Sequence, residues 1–212
     1  MEFAQMNNIY ILGTIHATHH TNPNYGFHHI LEKVEQFSPD LICVEIRNRD
    51  MVETNSYLRE YYPPEMVLIK EEYEGKIAVI GFDWRGAEIE NRRIGDKVPE
   101  THNIFSLMQQ DTTVRDFILQ RKALMNPFFN SCTLDSCQSD YETNYDKIKN
   151  IEEELDYYLC EQGYKNLVDY DIEREERIHN NIKSIIKHNP SKRIMIITGI
   201  SHKGKLNEFL NI

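Results

Sequence analysis

The chain has 212 residues, of which 40% are hydrophobic and 27% are charged, and its formal net charge is −10 at pH 7. This length suits one large domain with a sizeable core, and the hydrophobic content excludes wholesale disorder. The acidic balance argues against non-specific nucleic-acid binding and against an anionic membrane surface, because both depend on cationic side chains.

The first residues predict neither a signal peptide nor a membrane anchor. The segment MEFAQMNNIYILG carries an acid and no basic cluster, and its apolar run is far shorter than the roughly 18 residues of a membrane helix. The four cysteines, at positions 43, 132, 137 and 160, form no CxxC pair, which favours free thiols in a reducing compartment. We therefore expect a cytoplasmic protein.

The first third of the chain alternates predicted strands with predicted helices. Residues 8–12 (NIYIL), 41–46 (LICVEI) and 77–82 (IAVIGF) are apolar, β-branched runs that predict buried strands. Between them, apolar residues recur at helical spacing over 27–37 and 65–73. This alternation predicts an α/β fold with a mostly parallel central sheet flanked by helices.

The middle of the chain has a different pattern. Helical patterns near 114–124 and 148–159 are separated by a polar stretch at 126–144 that is rich in Ser, Asn and Asp. We expect 100–165 to form a helical insertion or cap over one sheet edge, within a single domain spanning 1–212. Beyond it, the sequence predicts a helix over 171–187, a last buried strand over 193–198 (RIMIIT) and a short terminal helix.

Polar side chains follow or end every predicted strand. They are His16, Glu45, Asp83, Arg85, Ser201 and His202. Because ligands of parallel α/β sheets bind outside the carboxyl ends of the strands, these distant residues are predicted to converge on one site.

Two Gly-x-x-His segments, Gly13 to His16 and Gly199 to His202, carry the clearest part of this pattern. A glycine lets the chain turn sharply and leaves room beside an imidazole. Glu45 lies in an apolar strand, where an ionised carboxylate is costly unless it is paired with a cation or a metal. Its alternative role is a structural ion pair with an arginine. His19 and His20, in a predicted loop, are weaker candidates for metal ligands.

The helix predicted over 171–187 offers an arginine to the same site. The apolar stripe of that helix continues towards its N-terminus through Glu175, with Arg174 at its flank, whereas Arg177 points away. An arginine beside the buried face can reach an anionic group in the site. The alternative is a surface arginine in an ion pair four residues away along the helix.

Several segments together resemble the TraB/PrgY/Tiki family, within the erythromycin-esterase and ChaN-like superfamily. They are ILGTIHAT at 11–18, LICVEI at 41–46, Glu65 in PPEMVLI, IGFDWR at 80–85, ERE at 173–175 and ITGISHKGKL at 197–206. The family pattern has an apolar residue four positions after its arginine, which fits Arg174 followed by Ile178. The middle of the chain and the transmembrane segments of several relatives fall outside the resemblance.

The resemblance implies an α/β core with its active site at the sheet edge. Tiki-like members resemble metal-dependent peptidases, erythromycin esterase hydrolyses a lactone, and ChaN-like members bind haem. We predict a hydrolase of a small molecule or peptide in which His16, Glu45 and His202 hold a divalent Mn, Co or Zn ion or activate water directly. Arg174 is predicted to stabilise developing negative charge.

Four further residues are predicted to contribute to substrate binding, namely Asp83, Arg85, Glu65 and Ser201. Asp83 and Arg85 would act as an orienting pair, and Glu65 would support the residues that contact the substrate. The alternative function is a non-catalytic binding protein for haem or a small anionic ligand.

Overall fold

The computed structural model of the protein describes residues 8–94, 104, 107 and 109–211. Its central feature is a four-stranded parallel sheet of β1 (Ile9–Thr14), β2 (Leu41–Arg47), β3 (Ala78–Asp83) and β4 (Ile194–Gly199). The strand order is β1-β4-β2-β3, so the last strand of the chain lies between the first two. The predicted α/β fold with a parallel sheet is confirmed.

Seven α-helices flank this sheet in the described part of the chain. They are α1 (Phe27–Phe37), α2 (Asn55–Tyr61), α3 (Pro64–Tyr73), α4 (Thr112–Phe129), α5 (Leu134–Glu161), α6 (Lys165–His188) and α7 (Ile200–Leu210). None of these helices combines the length and the apolar character that a membrane span requires.

The core occupies both faces of the sheet because successive residues of a strand point to opposite sides. Leu12 and Val44 belong to the apolar cluster that includes α1 and α3. Ile11 and Cys43, their neighbours in sequence, belong to the cluster that includes α6 and α7. The strands are buried on both faces, which explains their nearly continuous apolar sequences.

The polar stretch at 126–144 is largely helical, and its prediction as an interruption was wrong. Within it α4 ends and α5 begins. The Thr133 hydroxyl accepts a hydrogen bond from the Ser136 N–H (3.2 Å), and the Ser136 hydroxyl accepts one from the Thr133 N–H (3.0 Å), which caps α5. Cys137 and Tyr141 are buried one turn apart, so the polar residues occupy the outer face of a helix.

The segment predicted as an insertion supplies two long helices that pack against each other, α4 and α5. Residues 100–103, 105, 106 and 108 of that segment lie outside the described residues. The following helix, α6, begins at Lys165, before the predicted start at 171. Its early turns are held because Leu167 and Val168 are buried.

Candidate active site

The two Gly-x-x-His segments meet where β1 and β4 end. Thr14 and Gly199 are partners in the register of these strands, so both segments leave the sheet side by side. A Cβ atom at Gly199 would lie 2.6 Å from Nε2 of His16, and one at Gly13 would lie 2.8 Å from the side chain of Ile200. Each glycine is therefore needed because the other segment fills the space that a side chain would take.

Glu45 lies beside both histidines and is 5% exposed. Its Oε2 accepts hydrogen bonds from the Thr198 hydroxyl (3.0 Å) and the Gly199 N–H (2.8 Å). Its Oε1 accepts from Nη2 of Arg174 (3.0 Å) and lies 3.5 Å from Nε2 of His202. Burial raises the pKa of Glu45, but the interactions with His202 and with the Arg174 charge outweigh this effect and lower the pKa to about 2. Glu45 is therefore ionised at neutral pH.

The guanidinium of Arg174 places a fixed positive charge beside Glu45 and His202. Its Nε donates to Asp83 (3.2 Å) and to the Trp84 carbonyl (3.1 Å), and its Nη2 donates to Asp83 (2.9 Å) as well as to Glu45. Burial lowers the pKa of Arg174, but the two carboxylates raise it well above its usual value. Nη1 lies 3.3 Å from Nε2 of His202. Because a guanidinium can only donate, this contact requires an unprotonated Nε2 on a neutral His202.

The other ring nitrogen of His202 faces Glu175. Nδ1 of His202 lies 2.7 Å from Oε1 of Glu175, although the N–H direction is not well aligned with that oxygen. Burial raises the pKa of Glu175, but the contact with His202 outweighs it and lowers the pKa to about 2. Glu175 adjoins Arg174 on α6, so one helical turn supplies both neighbours of His202. The apolar stripe placed Glu175 on the buried face, but no pattern in the sequence indicated its partner.

His16 is the more accessible of the two histidines, with a side chain 43% exposed against 12% for His202. Its Nδ1 lies 2.7 Å from Oε1 of Glu65, which also accepts from the Thr14 hydroxyl (2.7 Å). Burial raises the pKa of Glu65, but the hydrogen bond with His16 outweighs this effect, so the net shift of the pKa is downward. The ionised carboxylate can only accept, so Nδ1 of His16 carries the proton and Nε2 carries the lone pair.

The pKa of His16 reflects the same contact. Burial lowers this pKa, but the hydrogen bond and the negative charge of Glu65 raise it more, so the net shift is upward. Its backbone has φ +50°, in the left-handed region that costs a non-glycine residue about 1–3 kcal/mol. The loop must therefore be held by its surroundings.

His19 provides part of that support. Its Nε2 accepts from the Ile15 N–H (3.0 Å), and its Nδ1 donates to the Tyr25 carbonyl (2.6 Å). Burial lowers the pKa of His19, which keeps the ring neutral. Both ring nitrogens are occupied, so His19 braces the loop and is not available as a metal ligand. His20 is exposed and packs against Phe27.

The remaining predicted residues take different places. Asp83 is buried and pairs with Arg174. Arg85 donates to the other Asp83 oxygen (2.9 Å) and covers the ring of Tyr62, so it lies outside the centre of the site. Ser201, in the first turn of α7, lines a cavity of about 410 Å³ together with Arg174, Glu175 and His202.

This cavity reaches from the site to the helices of the middle segment. Its walls include Ile118 and Leu155 as apolar groups and Arg121 and Asp156 as charged groups. Burial, and then the neighbouring Asp171 charge, raise the pKa of Asp156 to about 6. The volume is that of a pocket for a small molecule. The sequence did not predict these residues, because their approach to the sheet edge depends on the packing of α4 and α5.

The arrangement does not fit a divalent cation held jointly by His16, Glu45 and His202. Among the described residues, no group of three or more His, Cys, Asp or Glu side chains could hold a metal ion. Arg174 already donates to Oε1 of Glu45 and contacts Nε2 of His202. A metal about 2 Å from these atoms requires Arg174 to move away.

Comparisons with known proteins add a distant likeness of fold. No protein-family model and no curated protein matches this sequence. A solved structure of a mutant erythromycin esterase in its open conformation matches with a TM-score of 0.29 and 11% identity. The match covers 81% of this chain and 55% of that protein, so this chain spans about half the length of the esterase. A likeness at this level carries no argument about function, which rests on the site itself.

Proposed function

We propose that this protein is a hydrolase that cleaves an ester or amide bond in a small molecule or peptide, with His16 as its general base. The observation that carries the proposal is the state of the His16 ring. Its Nδ1 is held 2.7 Å from the buried Glu65 carboxylate, and its Nε2 has a lone pair on a side chain that is 43% exposed. A general base needs an oriented imidazole of this kind with access to solvent.

His202 is less suited to that role. Its Nε2 contacts the Nη1 of Arg174 at 3.3 Å, and its side chain is 12% exposed. The lone pair that a base requires is therefore already engaged. His202 and Glu45 instead orient Arg174 towards the cavity.

The proposed reaction begins with water bound beside His16. Nε2 of His16 takes a proton from the water, and the resulting hydroxide adds to the carbonyl carbon of the substrate. Glu65 stabilises the imidazolium that forms. The carbonyl oxygen becomes an oxyanion, which Arg174 stabilises through the Nη1 hydrogen that has no partner among the described residues. When the C–O or C–N bond breaks, His16 returns its proton to the leaving group.

A metal-dependent reaction, and membership of the TraB/PrgY/Tiki family, stay predictions. His16, Glu45 and His202 would be the ligands, and the ion would polarise the substrate carbonyl or lower the pKa of bound water. That form of the site requires Arg174 to leave Glu45, which the direct general-base reaction does not.

A panel of p-nitrophenyl esters, lactones and dipeptides tests the proposal with protein treated with a chelator. We expect turnover to survive chelation and to fall about 10²–10⁴-fold in His16→Ala, the range that general-base catalysis spans. His20→Ala is the matched control, because His20 is an exposed histidine of the same loop. Turnover that appears only with added Mn, Co or Zn overturns the metal-free form. Turnover unchanged in His16→Ala overturns the assignment of the base.

Titration with haem addresses the alternative function. A stoichiometric absorbance band without hydrolysis of any member of the panel would favour a binding protein. Hydrolysis without such a band supports the enzyme.

A further inference from the structure

A side chain of α5 forms hydrogen bonds with the outer edge of β1. Among the described residues, β1 lies at one end of the sheet and pairs only with β4. On its free side, the Gly13 N–H donates to Oε1 of Gln138 (3.0 Å), and the Gly13 carbonyl accepts from Nε2 of Gln138 (2.7 Å). One amide thus makes both hydrogen bonds that a neighbouring strand would make. Gln138 is buried in the second turn of α5, 125 positions further along the chain.

This contact lies at the base of the loop that carries His16. The Gly13 carbonyl also accepts a hydrogen bond from the Tyr25 hydroxyl (2.7 Å). The Tyr25 carbonyl accepts one from Nδ1 of His19, and Nε2 of His19 accepts one from the Ile15 N–H. The peptides on the N-terminal side of His16 are therefore fixed at two points. A left-handed φ of +50° persists at His16 only because its surroundings determine it.

Only a neutral group with one donor and one acceptor makes both of these hydrogen bonds to Gly13. The N–H needs an acceptor, and the carbonyl accepts a second hydrogen bond beside that of the Tyr25 hydroxyl. Gln138 provides both, with 7% exposure, so water does not readily replace either bond. A thioether of similar length provides neither, and a carboxylate provides only acceptors.

We propose that Gln138 is a positioning residue for His16. Its amide holds the Gly13 peptide so that the loop keeps the His16 ring against Gly199 and Nδ1 of His16 on Glu65. The catalytic meaning of this role rests on the proposed function, but the state of the His16 ring can be measured without any substrate. The middle segment of the chain then completes the loop of the active site as well as lining its cavity.

Gln138→Met tests the proposal by removing both hydrogen bonds at nearly constant length. The probe is NMR of protein labelled with ¹⁵N-histidine, which reports the protonated nitrogen and the titration of each ring. In the wild type we expect neutral His16 to keep its proton on Nδ1 and to titrate above its ordinary pKa. In Gln138→Met we expect a mixture of tautomers and a pKa that falls back towards about 6.5.

Two controls separate positioning from a general loss of stability. Gln120→Met makes the same substitution at an exposed position on α4. Ile148→Val removes one methyl group from the buried face of α5. The side chain at this position has no polar atom, so the substitution removes no hydrogen bond to Gly13. Ile148→Val should lower Tm and leave the His16 signals unchanged. If Gln138→Met does the same, Gln138 is only a structural brace and the proposal is overturned.

Gln138→Glu provides a conditional rescue. A protonated carboxyl group has one donor and one acceptor, like the amide, whereas the ionised group directs negative charge at the Gly13 carbonyl. Burial raises the pKa of such a carboxyl group. We expect the signals of His16 to match the wild type at pH values where this carboxyl group is protonated while His16 is neutral, and to match Gln138→Met at higher pH. The same signals at every pH would overturn the proposal.

Turnover distinguishes this inference from the proposed function. On any ester that the wild type hydrolyses, kcat in Gln138→Met should fall between about 10- and 100-fold with little change in KM, because a general base is displaced by a fraction of an ångström to an ångström. Altered His16 signals with full turnover support the role of Gln138 in positioning the ring and overturn His16 as the base. Unaltered His16 signals in Gln138→Met overturn the positioning role of Gln138, whatever the activity of that variant.

Discussion

The substitution Gly199→Ala tests the meeting of the two Gly-x-x-His segments directly. Gly199 has φ −55° and ψ 141°, which alanine adopts without strain, so the added methyl group is the whole perturbation. Its carbon would lie 2.6 Å from Nε2 and 2.9 Å from Cε1 of His16, but at an ordinary 3.5 Å from Oε2 of Glu45. Favourable contacts between such atoms begin near 3.5 Å, so the His16 ring must retreat by about 1 Å.

This displacement of the His16 ring should lower kcat/KM strongly and the free energy of unfolding slightly. A misplacement of about 1 Å in a catalytic group lowers kcat/KM on the order of 100-fold. The His16 side chain is 43% exposed and can move outward, so the loss of stability should lie near the lower end for overpacking, about 1 kcal/mol. In a His16→Ala background the methyl group loses its closest neighbour, and this loss of stability should disappear.

Urea unfolding of the two single variants and the double variant measures this coupling. Gly75→Ala is a useful contrast, because Gly75 has φ +78° and nothing within 4 Å of its Cβ position, so that variant should lose stability and retain activity. Equal losses from Gly199→Ala with and without the His16 ring would refute the proposed contact. Full activity in Gly199→Ala would refute the role of His16 as base.

Three further predictions follow from the charges of the site. In Glu65→Gln the carboxylate that raises the pKa of His16 is lost, so the acidic limb of the profile of kcat/KM against pH should move to lower pH. The pKa values of Glu45 and Glu175 are lowered from 4.5 to about 2 in the folded protein. The contribution of these two carboxylates to the free energy of unfolding is therefore fully present above pH 4.5 and is lost as the pH falls towards 2. Urea unfolding across this range should show a smaller decline of that free energy in Glu175→Gln than in the wild type. In Arg174→Lys a single ammonium group replaces a planar fork of donors, so kcat should fall at least 10-fold and Tm should fall as well.

The strands and their chemistry could be predicted because their signals are local. Each strand is a short β-branched run, and its polar residues follow at once, so their shared edge of the sheet follows from parallel pairing. Of the two roles weighed for Glu45, the ion pair with an arginine is present, and its partner is Arg174. Its role as a ligand or base stays a prediction. The stripe on α6 correctly distinguished Arg174 from Arg177, which pairs with Glu173 on the outer face.

Other features could not be predicted because they depend on distant parts of the chain. Gln138 has meaning only once β1 is known to be an edge strand, and the order β1-β4-β2-β3 is not contained in any local pattern. Its surroundings read as a polar stretch between two helical patterns because α5 has a wide polar face. Glu175 was placed on the correct face of its helix, but its contact with His202 requires the packing of α6 against α7.

The balance of charge in the site also bears on the kind of substrate. Three buried carboxylates surround it, namely Glu45, Glu65 and Asp83, together with the partly buried Glu175. Arg174 pairs with Glu45 and Asp83, and Lys205 lies 3.6 Å from Glu175. The ionic contact of Glu65 is with His16, which carries no fixed charge. An anionic group beside His16 would therefore be repelled by the charge of Glu65, whereas a neutral or cationic group would not.

Paired esters that differ only in a remote substituent test this expectation. For equal leaving groups, we expect kcat/KM to decrease in the order ammonium, neutral and carboxylate, with the difference shrinking as salt screens the charges over about 10 Å. The same argument disfavours a small anion as the occupant of a purely binding site. Faster hydrolysis of the carboxylate ester would show that Arg174 attracts the substrate although it is paired with Glu45 and Asp83. That result would contradict the negative potential inferred beside His16.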